Sequence, residues 1–389
     1  MRENEVLAAV RALAPALRER AAATEELRRM PDDSVAELGD AGFFRLLQPA
    51  AHGGFGADPA VHHAAVQEIA RACGSTGWAA AVLAVHPWHV ALFDPRAQDD
   101  VWGAHRDALL CSSYAPTGTV TAVDGGFRLS GRWHFSSGCD HADWALLGGL
   151  VTDGEGSPVD MRTFLVPRSA YAVDAVWDTV GLRGTGSNDL VVKDVYVPAH
   201  RSLGYRPVNA LDCPGHEINP EPLYRLPYAA LFTTTISTAM VGIAEGAYEE
   251  HLAAARDRSR TGRGPQAVDD PFAQVRIARA ASEIDAAQLQ LTRNMRELYA
   301  TVARGERPTP GQRARTRRDQ ALATERAVTA VDLLVEGAGG GIMGPGGGVV
   351  QRAWRDLRTG RGQAANDLER ALGLYGRHAL GVEVNDSMV

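Results

Sequence analysis

The sequence predicts an α+β fold: a helical region over 1–108, a middle antiparallel β domain over 109–205, and a C-terminal helical bundle with a Pro-rich connector over 206–389. Two periodicities and their order predict it. Apolar residues recur at three- and four-residue spacing at both ends of the chain, whereas the middle carries short β-rich runs broken by Gly, Asp and Pro. Sequential strands without intervening helices exclude a parallel crossover sheet and favour an antiparallel sheet or small barrel.

At the N-terminus, 3–21 places Val6, Leu7, Val10, Leu13 and Leu17 at helical spacing, and 58–72 and 75–91 continue in that period. Asp58 before Pro59 predicts a helix start, because aspartate caps the first amides and proline pre-sets the first turn. From about 110, LLCSSY, TVTAVDG, FRLSGRWHFSSG, WALLGGLV, RTFLVP and DLVVKDVYVP read as strands, with a hairpin turn at Gly125-Gly126. After the connector at 206–227, Asp270-Pro271 opens a helix over 270–303. It sets Phe272, Val275, Ile277, Ala281, Ile284, Leu289 and Leu291 along a broad face. A further helix over roughly 313–336 completes an antiparallel bundle.

The 389 residues suffice for two or three packed regions, since domains run to roughly 100–200 residues. A hydrophobic fraction of 45% and a charged fraction of 22% are ordinary globular values. The net charge of −7 argues against a nucleic-acid surface, which needs clustered cations to displace counterions. Lys193 is the only lysine, so nearly all positive charge is arginine. No stretch of about 18 uncharged apolar residues occurs, and MRENEVLAAVRALAPALRER is charged throughout, so a cytoplasmic location is expected. Cys73, Cys111, Cys139 and Cys213 lie far apart with no CxxC, which predicts reduced structural thiols. The pairs His62-His63 and His134/His141 form no metal-ligand grouping, and no metal is expected.

Some segments carry the residue types that chemistry needs. In GRWHFSSG (131–138) a strand bearing Trp133 ends in Ser136, Ser137 and Gly138, which lets a flat ligand approach the backbone closely. In LRGTGSND (182–189), Arg183, Gly184, Thr185 and Ser187 offer N–H groups, hydroxyls and a cation to phosphate or carbonyl oxygens, so the run is assigned to cofactor binding. It does not follow the strand–GxGxxG–helix pattern of dinucleotide folds. EGAGGGIMGPGGG (336–348) suits either close approach to ligand phosphates from a neighbouring subunit or a flexible connector. His86 supplies an imidazole able to hold a hydroxyl or pass a proton near neutral pH.

GSTGWAAAVLAVHPWHVALF (74–93), GGFRLSGRWHFSSGCDHADWALLG (125–148), VGLRGTGSNDLVVKDVYVP (180–198) and RAWRDLRTG (352–360) together resemble the two-component flavin-dependent monooxygenases of the acyl-CoA dehydrogenase fold. The resemblance runs nearly end to end. It implies that reduced FMN or FAD arrives from a separate NAD(P)H:flavin reductase and that oxygen adds at C4a. The hydroperoxide then hydroxylates a small aromatic or natural-product substrate. It also implies that the strand with Trp133 borders the flavin, with Ser136 or Ser137 near N5, where a hydroxyl can both donate and accept. Gly138, Arg183, Gly184, Thr185 and Ser187 would complete that site. His86 would face the substrate, Ser112 would lie on the strand next to the flavin with Tyr114 near it, and the chain would form a homotetramer through its C-terminal helices.

The departures from the family pattern are informative. Phenol hydroxylases of the family commonly carry a histidine eight residues after the arginine of the RD pair, where it assists phenol deprotonation. Gln363 stands there, and an amide cannot act as that base. Either His86 substitutes or the substrate needs no base, as for an amine, so N-oxygenation stays open. Many acyl-CoA dehydrogenases place a glutamate nine residues after that arginine. Ala364 stands there and Asp367 lies nearly a turn away, so dehydrogenase chemistry needs a base on another helix. A non-catalytic scaffold on the same fold is the remaining alternative. Arg352, Arg355, Arg358 and Arg361 recur every three residues and read as a solvated face or a subunit contact paired with acids such as Asp356, in preference to a phosphate site. Arg256, Arg258, Arg260 and Arg263 fall where FAD-using relatives contact a pyrophosphate, without matching the spacing, which leaves FMN against FAD open.

Overall fold

A computed structural model describes residues 2–152, 157–261, 269–336, 342, 344, 348–384 and 386. Helices α1 (Glu3–Glu19), α2 (Ala21–Leu27), α3 (Asp32–Asp40), α4 (Pro59–Ala72), α5 (Gly74–Val90) and α6 (Pro95–Trp102) open the fold. Helix α1 buries Val6, Val10 and Leu17, with Leu7 and Leu13 at the edge of that face. Helix α4 begins as the sequence predicts, with Asp58 Oδ1 accepting from the Ala60 N–H at 2.8 Å. Helix α5 is buried from Ser75 to Val90 and packs against α4, the sheet and the C-terminal helices. A helix apolar all round is the post around which other layers assemble.

Strands β1 (Leu110–Val123), β2 (Gly126–Ser136), β3 (Trp144–Thr152), β4 (Pro158–Pro167), β5 (Ala172–Asp174), β6 (Asn188–Pro198) and β7 (Ser202–Gly204) follow. They form one sheet in the order β5-β6-β2-β1-β3-β4-β7. The expectation of a purely antiparallel sheet is corrected at one pair: β1 and β3 run parallel, with Leu110 opposite Trp144 and Val120 opposite Val151. Strand β2 returns the chain to the end of the sheet where β1 began. Strand β3 starts there on the other edge of β1 and so runs the same way. The hairpin turn falls one residue earlier than expected, at Asp124-Gly125, with Gly125 at φ 72° and Gly126 already paired with Val123.

Helices α7 (Tyr205–Asn209), α8 (Tyr228–Thr261), α9 (Pro271–Ala303), α10 (Pro310–Glu336), α11 (Gly348–Arg361) and α12 (Leu368–Ala379) complete the chain. Asp270 caps α9 by accepting from the Phe272 N–H at 2.9 Å. Helices α8, α9 and α10 pack together as a bundle. The expected face of α9 is corrected in part, since Phe272, Val275 and Leu289 are exposed. The packed stripe runs instead through Ala280, Ile284, Ala287, Leu291, Met295 and Leu298. Its alanines let neighbouring helices approach closely, a contribution that counting large apolar residues overlooks. The four cysteines are buried and free. Among the described residues no helix is long and apolar enough to cross a membrane.

Candidate active site

Strand β2 ends on a bulge. Its register with β6 shifts between Trp133 and Ser136, and Phe135 adopts the left-handed conformation at φ 62°. That conformation costs a non-glycine residue about 1–2 kcal/mol. The Phe135 ring is 72% exposed and meets the Trp177 ring edge-on at 6.3 Å. An aromatic ring held out of the core by a strained bulge offers a platform for a flat conjugated ligand. The next two residues diverge. Ser136 is fully buried, and its hydroxyl meets the Cys111 thiol in place of a nitrogen or oxygen partner. Ser137 faces α5 instead, where Trp78 Nε1 donates to its Oγ at 3.2 Å. Its Oγ also lies 2.7 Å from Ser187 Oγ, which lies 2.7 Å from Thr185 Oγ1. Thr185 in turn donates to the Leu182 carbonyl at 2.9 Å.

The 181–187 turn that carries this hydroxyl chain is clamped by α11. Leu182 is left-handed at φ 52°, and its N–H donates to Asp356 Oδ1 at 2.5 Å. Arg355 donates to the Val180 carbonyl at 2.7 Å. A Cβ at Gly181 would lie 2.1 Å from the Arg355 carbonyl oxygen. At the other end, the Gly138 N–H donates to the Thr185 carbonyl at 2.9 Å, tying the turn to the end of β2. The arginine face is paired with acids as expected, but Asp356 is not among the partners. Arg352 and Arg355 close on Glu25, Arg358 on Asp332 and Arg361 on Glu325, while Asp356 is 2% exposed and pairs with the backbone.

Burial raises the Asp356 carboxyl from its usual 3.8 to about 6. The folded chain therefore binds this proton more tightly than the unfolded chain. Its contribution to stability is largest below the unfolded pKa, declines as pH rises towards 6, and is level above that. A rise from 3.8 to about 6 corresponds to roughly 3 kcal/mol. Asp356→Asn keeps an acceptor for the Leu182 N–H and removes the buried charge. Denaturant midpoints followed from pH 4 to pH 8 are expected to converge at the acid end and to favour the variant at the alkaline end. Parallel profiles would show that Asp356 does not titrate in this window.

A second cluster lies on the next turns of α5. Tyr114 Oη is 2.9 Å from His89 Nδ1 and 3.3 Å from His86 Nδ1. One phenol proton serves two imidazoles, so Tyr114 donates to one and accepts from the other. Burial holds both rings neutral: His89 falls to about 3, and His86, with His89 adding to the effect, lies well below the ordinary histidine value. Burial also raises the Tyr114 phenol, and the Ser112 and Tyr228 hydroxyls face it. Phe232 stacks on Tyr228 at 5.5 Å and on His86 at 6.2 Å. His86 Nε2 is fully buried without a partner. An unpaired buried polar atom costs about 1–3 kcal/mol and marks a place for a ligand group.

The structure thus brings Ser137, Gly138, Thr185 and Ser187 together, and separately His86, Ser112 and Tyr114. It takes the other expected residues elsewhere. Trp133 is fully buried with its indole N–H on the Gly148 carbonyl at 2.8 Å. Arg183 pairs with Asp178, and Gly184 packs on α2, where a Cβ would lie 2.4 Å from Thr24 Cγ2. Gln363 caps the short turn 364–366 through its amide oxygen, which accepts from the Ala365 N–H. His62 is buried and His63 half-buried, both held below the ordinary histidine value by desolvation, His134 pairs with Asp189, and His141 bonds the Met30 carbonyl. Most of the glycine run 336–348, Arg263, and the side chains of Arg258 and Arg260 lie outside the described residues. Trp78, Phe135 and Asp356 were not singled out from sequence. The signal for the first two was present, an indole and a phenyl ring inside the quoted motifs. A cavity of about 180 Å³ between α4, α8 and α9 is lined by residues such as His63, Gln67, Gln288 and Arg296 and by none of the groups above.

Helices, a sheet and a helical bundle in this order, with the sheet's hydroxyl-bearing strand end set against a buried helix, define an acyl-CoA dehydrogenase fold. The acyl-CoA dehydrogenase N-terminal domain family matches residues 2–98, and the C-terminal domain family matches 234–367. Within that fold the chain belongs to the oxygenase components of flavin-dependent monooxygenases. It is 50% identical over 379 residues to the oxygenase subunit HsaA of Rhodococcus jostii strain RHA1, covering 97% of this chain and 99% of that one. It is 36% identical to the oxygenase component of the FADH(2)-dependent resorcinol hydroxylase of Rhizobium sp., covering 96% and 93%. The crystal structure of 3-HSA hydroxylase from Rhodococcus sp. RHA1 superposes with a TM-score of 0.96 at 50% identity, covering 99% of each chain. XiaF from Streptomyces sp., in complex with FADH2 and glycerol, gives a TM-score of 0.89 at 26% identity, covering 99% and 97%.

Proposed function

We propose that this enzyme takes reduced FMN or FAD from a separate NAD(P)H:flavin reductase in the cytoplasm and uses O2 to hydroxylate a small aromatic or natural-product substrate. The observation that carries the reading is the Ser137 hydroxyl, anchored by Trp78 and Ser187 two residues after the exposed Phe135. A flat ring system fits this arrangement: an aromatic platform and a fixed hydroxyl oxygen at a strand end. Bound reduced flavin supplies the activation of oxygen. The protein's part is to position and to exclude water. The rings of Tyr114, Tyr228 and Phe232 pack together on the substrate side, and His86 Nε2, buried without a partner, is free to meet a substrate hydroxyl or amine. A ring so strongly desolvated orients that group without removing its proton.

The neutrality of His86 favours a second reading, N-oxygenation of an amine, because a neutral amine needs no base. The exposed Phe272, Val275 and Leu289 on α9 support a homotetramer built through the C-terminal helices. The test is an anaerobic titration of the pure protein with reduced FMN and reduced FAD, followed by oxygen. Tight binding of a reduced flavin and a transient absorbance after oxygen admission are expected. Neither binding nor transient would leave the non-catalytic scaffold. Yellow protein that bleaches with an acyl-CoA would establish the dehydrogenase.

A further inference from the structure

We infer that Thr185, acting through Ser187, fixes Ser137 as a hydrogen-bond acceptor and so makes the site select reduced, N5-protonated flavin over oxidised flavin. The inference rests on the proposed placement of Ser137 beside flavin N5. Its basis is the direction of the hydroxyl chain, which can be read one proton at a time.

Thr185 Oγ1 lies 2.9 Å from the Leu182 carbonyl oxygen. Two oxygens at that distance need a proton between them, and a carbonyl has none to give, so the Thr185 proton is committed there. Ser187 Oγ lies 2.7 Å from Thr185 Oγ1, and the proton between them must then come from Ser187. Ser137 Oγ lies 2.7 Å from Ser187 Oγ, and by the same reasoning Ser137 donates inward. Trp78 Nε1–H occupies one Ser137 lone pair at 3.2 Å. What Ser137 retains is a single lone pair. The expectation that this serine both donates and accepts at the flavin is therefore corrected: it only accepts.

Reduced flavin has an N5–H that donates to such a lone pair. Oxidised flavin has a bare N5 lone pair, which would face another lone pair across the contact. An oxygenase fed by diffusion needs this discrimination, because spent oxidised flavin competes for the same site. Thr185 and Ser187 are positioning residues in this arrangement, since they act through Ser137.

The test is the ratio of dissociation constants for oxidised and reduced flavin, measured anaerobically for the full-length protein with FMN and FAD. Thr185→Val is close in volume, and the Leu182 carbonyl keeps the Trp177 Nε1–H at 2.9 Å and the Thr185 N–H at 3.2 Å. In this variant Ser187 is free to turn its proton towards Ser137, and Ser137 can then donate to oxidised flavin. The ratio should fall by about three- to tenfold, the size of one hydrogen bond, with a more negative midpoint potential for bound flavin. Thr185→Ser should restore the wild-type ratio, and Ser187→Ala should lower it as Thr185→Val does. Equal weakening of both redox forms, or an unchanged ratio, would overturn the inference while leaving flavin binding in place. Failure of the wild-type protein to bind either form would instead overturn the placement on which it rests.

Discussion

Ser137→Ala is expected to shorten the transient that follows oxygen admission by about tenfold, with hydrogen peroxide released in place of product. Ser137 bonds α5 through Trp78 and the 182–187 turn through Ser187, which leaves one lone pair for a ligand at the strand end. Its loss removes a single bond to the ring at which oxygen reacts, and one such bond is worth about a factor of ten. The same change leaves the buried Trp78 N–H without an acceptor, so stability should fall by about 1–3 kcal/mol, well short of unfolding. Ser136→Ala separates the two serines. Its hydroxyl is buried against the Cys111 thiol with no nitrogen or oxygen partner, so its removal should barely alter the lifetime. Rapid mixing of the reduced-flavin complex with oxygenated buffer, together with the ratio of peroxide to product, reads both variants. An unchanged lifetime in Ser137→Ala, or a shortened one in Ser136→Ala, would move the role from one serine to the other.

The order of helical, β and helical regions was legible because each is announced by its own period, and the caps at Asp58 and Asp270 formed as their side-chain chemistry requires. What failed to show in the sequence depends on contacts across long separations. Ser137 and Ser187 stand 50 residues apart, and nothing in either motif says that they touch. Asp356 looked like a surface acid because arginines surround it in sequence, yet those arginines found Glu25, Asp332 and Glu325. That left Asp356 to turn inward to the Leu182 N–H. Trp133 was assigned to the cofactor as part of a resembling motif. The bulge after it reverses the expected alternation, exposing Phe135 and leaving Trp133 in the core. The bulge also decides which serine meets the 182–187 turn, a one-residue matter that a period-two pattern cannot settle.

The same separation governs Gly181→Ala, which is expected to abolish measurable flavin binding while the remainder of the fold persists. A Cβ at this position would sit 2.1 Å from the Arg355 carbonyl oxygen, 2.2 Å from its carbon and 2.5 Å from the Asp356 nitrogen. All three are backbone atoms of α11, so no side chain can rotate aside. Relief requires the 181–187 turn to move off the helix, which strains the bonds from Asp356 to Leu182 and from Arg355 to Val180. Overpacking of this kind costs about 1–3 kcal/mol, and the lost clamp adds to it. The functional loss should exceed the stability loss, because displacing Leu182 also displaces the carbonyl that orients Thr185, Ser187 and Ser137 in turn. Gly373→Ala in α12 is the matching control. Nothing lies within 4 Å of its Cβ position, so the same added methyl should be neutral or slightly stabilising through helix propensity. Thermal unfolding and reduced-flavin titration of the two variants separate the effects. Wild-type flavin affinity in a folded Gly181→Ala protein would show that the turn is not part of the flavin site.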